Sequence, residues 1–238
     1  MEAAGTARSE VETELSGIEA AIDAGQWDLK ALGFWRVVAR VKADPGLTAS
    51  LADRIGAIDR RAFRQGVRLR APVWVGNMIL LAGAVVGCGA VAFALRPSTG
   101  RALAGMALIV AAGLWAVSLH CPVHWLVGRL VGIRFTDYFL GGPPPPRPGL
   151  KTDYGTYLRA APARRAWMHA SGALATKCAP FLALAFWPAS GAPWWSAAAL
   201  VGLGAFQIAT DISLSVKSSD WKRFRREMAV SRAARASK

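Results

Sequence analysis

The chain has 238 residues, 53% of them hydrophobic, and it carries a formal net charge of +14. This composition excludes an intrinsically disordered chain, which is far more polar, and three cysteines are too few for a disulfide-stabilised secreted module. The apolar residues are concentrated in long, almost uncharged runs after residue 70. The sequence therefore predicts an integral membrane protein with a soluble N-terminal part.

Residues 1–70 are predicted to form a cytosolic helical cap. Apolar residues recur there at helical spacing, and the pattern breaks at Gly25 and at Asp44-Pro45-Gly46. Two roles remain open for this cap: an interaction or regulatory domain, or a packing collar that steadies the first membrane span. The three apolar stripes are Val11, Leu15, Ile18 and Ile22; Leu29, Leu32, Trp35 and Val38; and Leu51, Ile55, Ile58, Ala62 and Phe63.

Four apolar runs are long enough to cross the hydrocarbon core, which takes about 20 residues in a helix. They cover roughly residues 72–95, 102–127, 166–188 and 193–216. The expected fold class is an all-α integral membrane protein, with a four-helix transmembrane core over 71–217 and a basic cytosolic tail over 218–238. We expect no cleaved signal peptide, because the N-terminus is acidic and the first apolar run starts late.

The distribution of Arg and Lys orients these spans. Basic residues cluster before the first run, between the second and third, and after the fourth. The positive-inside rule then places both termini and the long middle link in the cytoplasm of a cell whose plasma (inner) membrane holds the protein. Richness in Ala, Gly and Arg is typical of bacterial chains. The expected partner is the lipid bilayer and not nucleic acid, because the basic residues lie at membrane edges.

Four ionisable side chains interrupt the apolar runs near their cytoplasmic ends: His120, His124, His169 and Asp211. At 1.5 Å per residue, all four lie within roughly 5–12 Å of the predicted inner boundary. Such residues are expensive in a membrane and are functional candidates. His120 and His124 are four apart and share a helix face, and imidazoles with a carboxylate suit zinc. The alternative is a hydrogen-bonded cluster that holds the helices together.

The segment from His120 to Phe135 resembles the zinc helix of the site-2-protease intramembrane metallopeptidases, which reads His-Glu-x-x-His. Small and aromatic residues then fall near the family's places, namely Gly128, Gly132, Phe135, Phe139 and Gly141-Gly142-Pro143. Residues 165–173 resemble the family's next core helix. The resemblance covers about residues 102–217 and implies a zinc ion held by His120, His124 and Asp211, with a membrane protein as substrate or partner subunit.

The chain departs from this family at the residue after the first histidine, where Cys121 stands in place of the catalytic Glu. A cysteine is too short to curl back to the metal, and an apolar environment opposes its ionisation. We therefore expect a degenerate or atypical metallopeptidase. His169 could close the zinc shell as a fourth ligand, which would make an inert pseudoprotease, or an open site could use Asp153 as a substitute acid.

Two other functional classes stay open. One is a non-enzymatic membrane scaffold or partner-binding subunit, whose polar cluster would be structural. The other is a membrane oxidase, which ranks lower because three histidines are too few for a two-metal site. A scaffold would bind no stoichiometric metal, a pseudoprotease would bind zinc without cleaving peptides, and an oxidase would bind iron.

Other marked residues lie near the predicted core. Lys177, in the third run, is expected to pair with a carboxylate or to face a water-filled cavity. Tyr154, Tyr157 and Arg159 follow the proline-rich link. They are candidates for binding lipid head groups or a substrate, or for anchoring the chain at the membrane interface.

Overall fold

The computed structural model describes residues 2–141, 147–213 and 219–236, and they are mostly helical. The chain divides into two compact units. The first combines Met1–Val73 with Gly132–Ala161, and the second combines Trp74–Val131 with Pro162–Lys238. The sequence suggested a contiguous division near residue 71. The structure differs because the middle link forms strands and a helix that pack with the N-terminal helices.

The first unit contains the helices α1 (Glu2–Asp23), α2 (Phe34–Ala43), α3 (Pro45–Gly66) and α7 (Tyr154–Arg159). Their ends follow the sequence signals. Gly25 adopts a positive φ of 87° just after α1, and the Asp44 side chain accepts hydrogen bonds from the amides of Gly46 and Leu47 at the start of α3. Pro45 occupies the first turn, where no amide hydrogen is needed.

The apolar stripes of α1 and α3 form the core of this unit, as the sequence predicts. The predicted stripe of this region is confirmed in part. Leu29 and Val38 are buried and Leu32 packs against the core, but Trp35 is 42% exposed. The prediction that Trp35 faces the core was wrong, because α2 buries Phe34, Val37, Val38 and Val41 instead.

A three-stranded antiparallel sheet completes the first unit, with strand order β1-β2-β3. The strands are β1 (Arg70–Pro72), β2 (Phe135–Gly141) and β3 (Arg147–Thr152), and Tyr138 of β2 lies opposite both Ala71 and Leu150. This sheet departs from the all-α class expected from the sequence. The departure has a local cause, since β2 is rich in aromatic residues, which favour strands.

The second unit is helical. It contains α4 (Val73–Ala94), α5 (Arg101–Ser118), α6 (His120–Leu130), α8 (Pro162–Leu184), α9 (Trp187–Ser190), α10 (Trp194–Ser213) and α11 (Asp220–Ala236). Four stretches are long and apolar enough to cross a membrane, as predicted: Val73–Ala94, Arg101–Ser118, Pro162–Ser190 and Trp194–Ser213. The last three residues of the predicted fourth span lie outside the described residues.

The second of these stretches ends nine residues earlier than expected. Pro122 lacks an amide hydrogen and cannot donate to the carbonyl of Ser118, so the helix breaks at Leu119 and α6 starts anew. Pro122 then sits in the first turn of α6, where its ring is tolerated. The break places His120 at the start of a separate helix, beyond the apolar stretch.

Small residues bring the long helices together. A Cβ on Gly105 of α5 would lie 2.8 Å from the Ser196 side chain of α10, and the indole of Trp115 donates to the carbonyl of Ala84 at 3.1 Å. Many large apolar side chains on these helices are exposed, among them Trp74, Met78, Ile79, Val85, Val117 and Phe206. An exposed apolar surface of this kind is expected of helices that face lipid.

Candidate metal centre

Two histidines and one carboxylate meet between α6 and the start of α11. The Nε2 atoms of His120 and His124 lie 3.3 and 3.2 Å from Oδ2 of Asp220. One possible ligand atom from each of the three residues lies within 4.8 Å of the other two. His120 and His124 face the same way because they are one helical turn apart. Asp220 meets them as the first residue of α11.

Helix α8 holds both imidazole rings from the other side. Nδ1 of His124 lies 2.6 Å from the carbonyl oxygen of Met168, and Nδ1 of His120 lies 2.9 Å from Oγ1 of Thr176. The Thr176 hydroxyl also lies 3.1 Å from the carbonyl oxygen of Gly172, to which it can donate its single hydrogen. Three elements therefore build the centre, α6, α8 and α11, and all belong to the second unit.

The contacts of the two Nδ1 atoms bear on where the ring protons lie. A carbonyl oxygen can only accept, so Nδ1 of His124 carries its hydrogen. If the Thr176 hydroxyl donates to the Gly172 carbonyl, it accepts from Nδ1 of His120, which then carries a hydrogen as well. In neutral rings of this form both Nε2 lone pairs point at one oxygen of Asp220. A proton on a ring or on the carboxyl group, or a cation where the lone pairs converge, makes this arrangement favourable.

The spacing also fits a cation. Zinc–ligand distances of about 2.0–2.2 Å put neighbouring ligand atoms of a tetrahedral shell about 3.4 Å apart. The two measured separations from Oδ2 of Asp220 are 3.2 and 3.3 Å. The doubly protonated alternative would place two positive rings with their centroids 4.7 Å apart, where they repel each other. The donor set therefore suits zinc, and backbone and hydroxyl acceptors orient both histidines as metal sites require.

Gly172 makes room for one of the rings. A Cβ atom at this position of α8 would lie 2.3 Å from the ring of His124 and 2.8 Å from the carbonyl oxygen of His120. No side chain larger than hydrogen fits between the two helices there. The close approach of α8 to α6 thus depends on this one glycine.

Asp220 is the negative charge of the centre. Burial acts to raise the pKa of its carboxyl group, whereas hydrogen bonds from His120 and His124, which require a hydrogen on Nε2, hold the pKa below its usual value. The carboxylate is thus ionised when the rings carry that hydrogen, and a cation in its place would favour the ionised form in the same way. His120 is the accessible member, since its side chain is 34% exposed, whereas His124 is almost buried.

The other two predicted ligands, His169 and Asp211, lie at different distances from the group. His169 of α8 is buried beside the group, with Nδ1 3.9 Å from Oδ1 of Asp220, which places it next to the ligands but not at bonding distance from that oxygen. The structure does not bring Asp211 into the group, because its carboxylate forms an ion pair with Lys177. The acidic member is therefore Asp220 and not Asp211. The same ion pair confirms the expectation that Lys177 pairs with a carboxylate.

Cys121 and Asp153 were the two residues considered in connection with the missing general base. Burial, and next the charge of Asp220, raise the pKa of the Cys121 thiol to about 11, so the thiol stays protonated at neutral pH. Asp153 belongs to the first unit, where one carboxylate oxygen accepts from the amide of Thr156 at 3.0 Å. The other oxygen forms an ion pair with Arg60 at 2.8 Å. Both oxygens of Asp153 thus have structural partners.

Tyr154, Tyr157 and Arg159, which the sequence offered to lipid or substrate, make contacts inside the first unit. The ring of Tyr154 stacks on that of Tyr157 with centroids 5.3 Å apart and meets Trp35 edge-on. Arg159 forms an ion pair with Asp53, and its hydrogen bond holds the pKa of that carboxyl below its usual value. Tyr157 is buried by these contacts, whereas the Arg159–Asp53 pair is exposed.

Sequence reasoning missed Asp220 as a member of the centre and placed it in the basic cytosolic tail. A usable signal was present. Only three acidic residues follow Asp153 in the chain, Asp211, Asp220 and Glu227. Asp220 stands alone among basic and aromatic neighbours, directly after an apolar run. A lone carboxylate in such a position needs a partner.

Comparison with protein-family models, curated proteins and solved structures found no match. The class that the fold and the site define is therefore a mostly helical chain with four helices able to span a membrane and a His-His-Asp group at the end of those helices.

Proposed function

We propose that this protein is integral to a membrane and binds one zinc ion per chain through His120, His124 and Asp220. The observation that carries the proposal is the convergence of the Nε2 atoms of two histidines on one carboxylate oxygen, at 3.2 and 3.3 Å. The resemblance to site-2-protease-like metallopeptidases supplies the two-histidine helix of this proposal. Its third ligand becomes Asp220 in place of Asp211.

The proposed function is metal binding without ordinary peptide hydrolysis. A zinc peptidase needs a group that takes a proton from the attacking water. The residue in the family's position for that group is Cys121, whose thiol is protonated at neutral pH because burial raises its pKa to about 11. A zinc ion in this protein would supply a Lewis acid and a rigid link between α6 and α11. Met168 and Thr176 orient the two histidine ligands.

The test is the zinc content of the full-length protein purified in detergent, measured by elemental mass spectrometry. We expect about one zinc per chain in the wild type, and a His120→Ala/His124→Ala variant that retains none. Asp220→Asn keeps the shape but removes the charge, and we expect zinc affinity to fall about 100-fold or more.

Asp211→Asn is the matched control, because it changes the other carboxylate near the end of the apolar helices and leaves the zinc content unchanged. Loss of zinc in Asp211→Asn but not in Asp220→Asn would contradict the assignment of the ligand. Absence of zinc from the wild type, even after incubation with zinc, would remove the metal function and favour a scaffold with a structural polar cluster.

A further inference from the structure

The acidic and the basic residues of helix α11 lie on different faces of the helix. Its two acidic residues both face inward, Asp220 toward the histidines and Glu227 into a buried ion pair with Arg165 of α8 at 2.9 Å. The outer surface of the helix is cationic over its whole length. Its exposed basic residues are Lys222, Arg223, Arg225, Arg226, Arg232 and Arg235.

Aromatic rings lie at one end of this cationic surface. Phe224 stacks on Trp221 with centroids 5.1 Å apart and also meets Trp167 of α8 at 5.6 Å. Trp167 lies near the start of a helix that is apolar enough to span a membrane. A shallow groove on α11 is lined by Phe224, Arg225, Met228 and Arg232, so it pairs two guanidinium groups with apolar walls.

We propose that this surface of α11 binds the phosphate head groups of anionic phospholipids, and that this binding strengthens metal binding at the His-His-Asp group. The inference rests on the proposed function, since it deepens the regulation of the same site. Guanidinium groups recognise phosphate, and Lys and Arg residues near an anionic membrane surface are attracted to it.

The coupling follows from the position of Asp220 on α11. The metal ligand is the first residue of the helix whose outer face carries the cations. Lipids that fix α11 beside α8 also hold Asp220 at the histidines, so less ordering accompanies the binding of zinc. By thermodynamic reciprocity zinc then strengthens lipid binding by the same factor.

A lipid surface fits these features better than nucleic acid does. Tryptophan is typical of membrane interfaces, and α11 is the helix that follows the apolar helix α10 in the chain. In addition, the groove offers apolar walls beside its guanidinium groups, as the junction of a head group with its acyl chains requires.

The test measures the zinc affinity of the full-length protein in nanodiscs, by competition with a chromophoric chelator. One set of discs contains phosphatidylcholine alone and the other also contains phosphatidylglycerol. We expect zinc to bind about fivefold more tightly in the anionic discs, at the lower end of common coupling factors. We expect Arg225→Gln/Arg232→Gln to lose most of this gain.

The variant separates coupling from simple attraction of zinc to a charged surface, because both proteins sit in the same anionic discs. If only direct electrostatics acted, removing two cations would slightly tighten zinc binding in the anionic discs. Coupling predicts the opposite, because the variant should lose the tighter zinc binding that anionic lipid gives the wild type. Lys30→Gln/Arg64→Gln removes two exposed charges from the first unit and should keep the full gain.

Equal gains in the wild type and in Arg225→Gln/Arg232→Gln would overturn this proposal and leave zinc binding itself intact. Zinc binding in neither type of disc would overturn the proposed function as well. If a double-stranded RNA probe tightens zinc binding in phosphatidylcholine discs and the anionic lipid does not, the surface recognises nucleic acid and the lipid proposal is wrong.

Discussion

Two carboxylates, one in each unit, face basic partners in different ways. Asp59 of α3 is 2% exposed, and the ammonium group of Lys151 reaches its two oxygens at 2.7 and 2.6 Å. Asp220 faces the ring nitrogens of His120 and His124. In the first case the partner brings hydrogens for both oxygens, and the ion pair is complete.

In the second case the hydrogens of the partner rings are committed elsewhere, to Met168 and Thr176. Asp220 therefore faces lone pairs, and only an added proton or cation makes the arrangement favourable. The comparison teaches that the number of available hydrogens, more than the number of charged groups, distinguishes a structural ion pair from a candidate metal site. The Arg165–Glu227 pair, with its guanidinium donors, is of the first kind.

Gly172→Ala should disturb the centre at Asp220 without altering any of its polar groups. The added Cβ would lie 2.3 Å from the ring of His124 and must displace it or move α6. We expect zinc affinity to fall about 30-fold, within the range seen when the support of a ligand is lost. Alanine favours helix, so the change does not weaken α8 intrinsically. The measurement is chelator competition on the full-length protein.

The matched control is Gly202→Ala on α10, where nothing lies within 4 Å of the added Cβ. This substitution should leave zinc affinity unchanged. If Gly172→Ala binds zinc as well as the wild type does, the rings are not held as the structure places them.

Thr176→Val tests the argument about hydrogens directly and should have a smaller effect. The substitution keeps the shape and removes the acceptor for Nδ1 of His120. The ring is then free to carry its hydrogen on Nε2, where that hydrogen competes with the metal. We expect about tenfold weaker zinc binding.

Thr210→Val is the control for loss of a hydroxyl in an apolar helix, because the Thr210 hydroxyl bonds only to carbonyls of its own helix among the contacts seen. It should not alter zinc affinity. Unchanged affinity in Thr176→Val would mean that Thr176 does not select the tautomer of His120.

Much of this architecture follows from the sequence. The four apolar helices and the caps at Asp44 and Gly25 could be predicted, because length, hydropathy and capping act locally. The pairing of His120 with His124 was also local, since one helical turn separates them. By contrast, the sheet and the choice of carboxylate depend on which segments meet after the chain reverses direction.

The mistaken choice between Asp211 and Asp220 shows the reason in detail. Asp211 lies near the end of the last apolar run, and Asp220 follows that run. Depth below the predicted membrane boundary, counted along the run, pointed to Asp211. The structure gives Asp211 to Lys177, a tertiary contact that no spacing predicts. Asp220 reaches the histidines only because α11 folds back along α8. Counting residues along one helix cannot reveal such a return.

The smallest expected effect concerns the pH dependence of stability at Asp59, whose ion pair with Lys151 was compared with Asp220 above. Burial raises the pKa of this carboxyl above its ordinary value of 3.8, against the lowering effect of Lys151. The folded state thus holds the proton more tightly than the unfolded state does. The contribution of this group to stability is full below about pH 3.8 and is lost as the pH rises through the raised pKa.

Asp59→Asn removes this titration, so the stability of the wild type relative to the variant should decrease as the pH rises from about 4 to about 7. Glu19→Gln provides the opposite sign. A hydrogen bond from Arg54 holds the pKa of Glu19 below its ordinary 4.5, so its contribution is present at neutral pH and is lost on acidification. Melting temperatures of the two full-length variants in detergent, followed across the pH series, should diverge from the wild type in opposite directions. If both variants diverged from the wild type in the same direction, Lys151 would outweigh burial at Asp59. The Asp59–Lys151 pair would then be stabilised by charge, as the Glu19–Arg54 pair is.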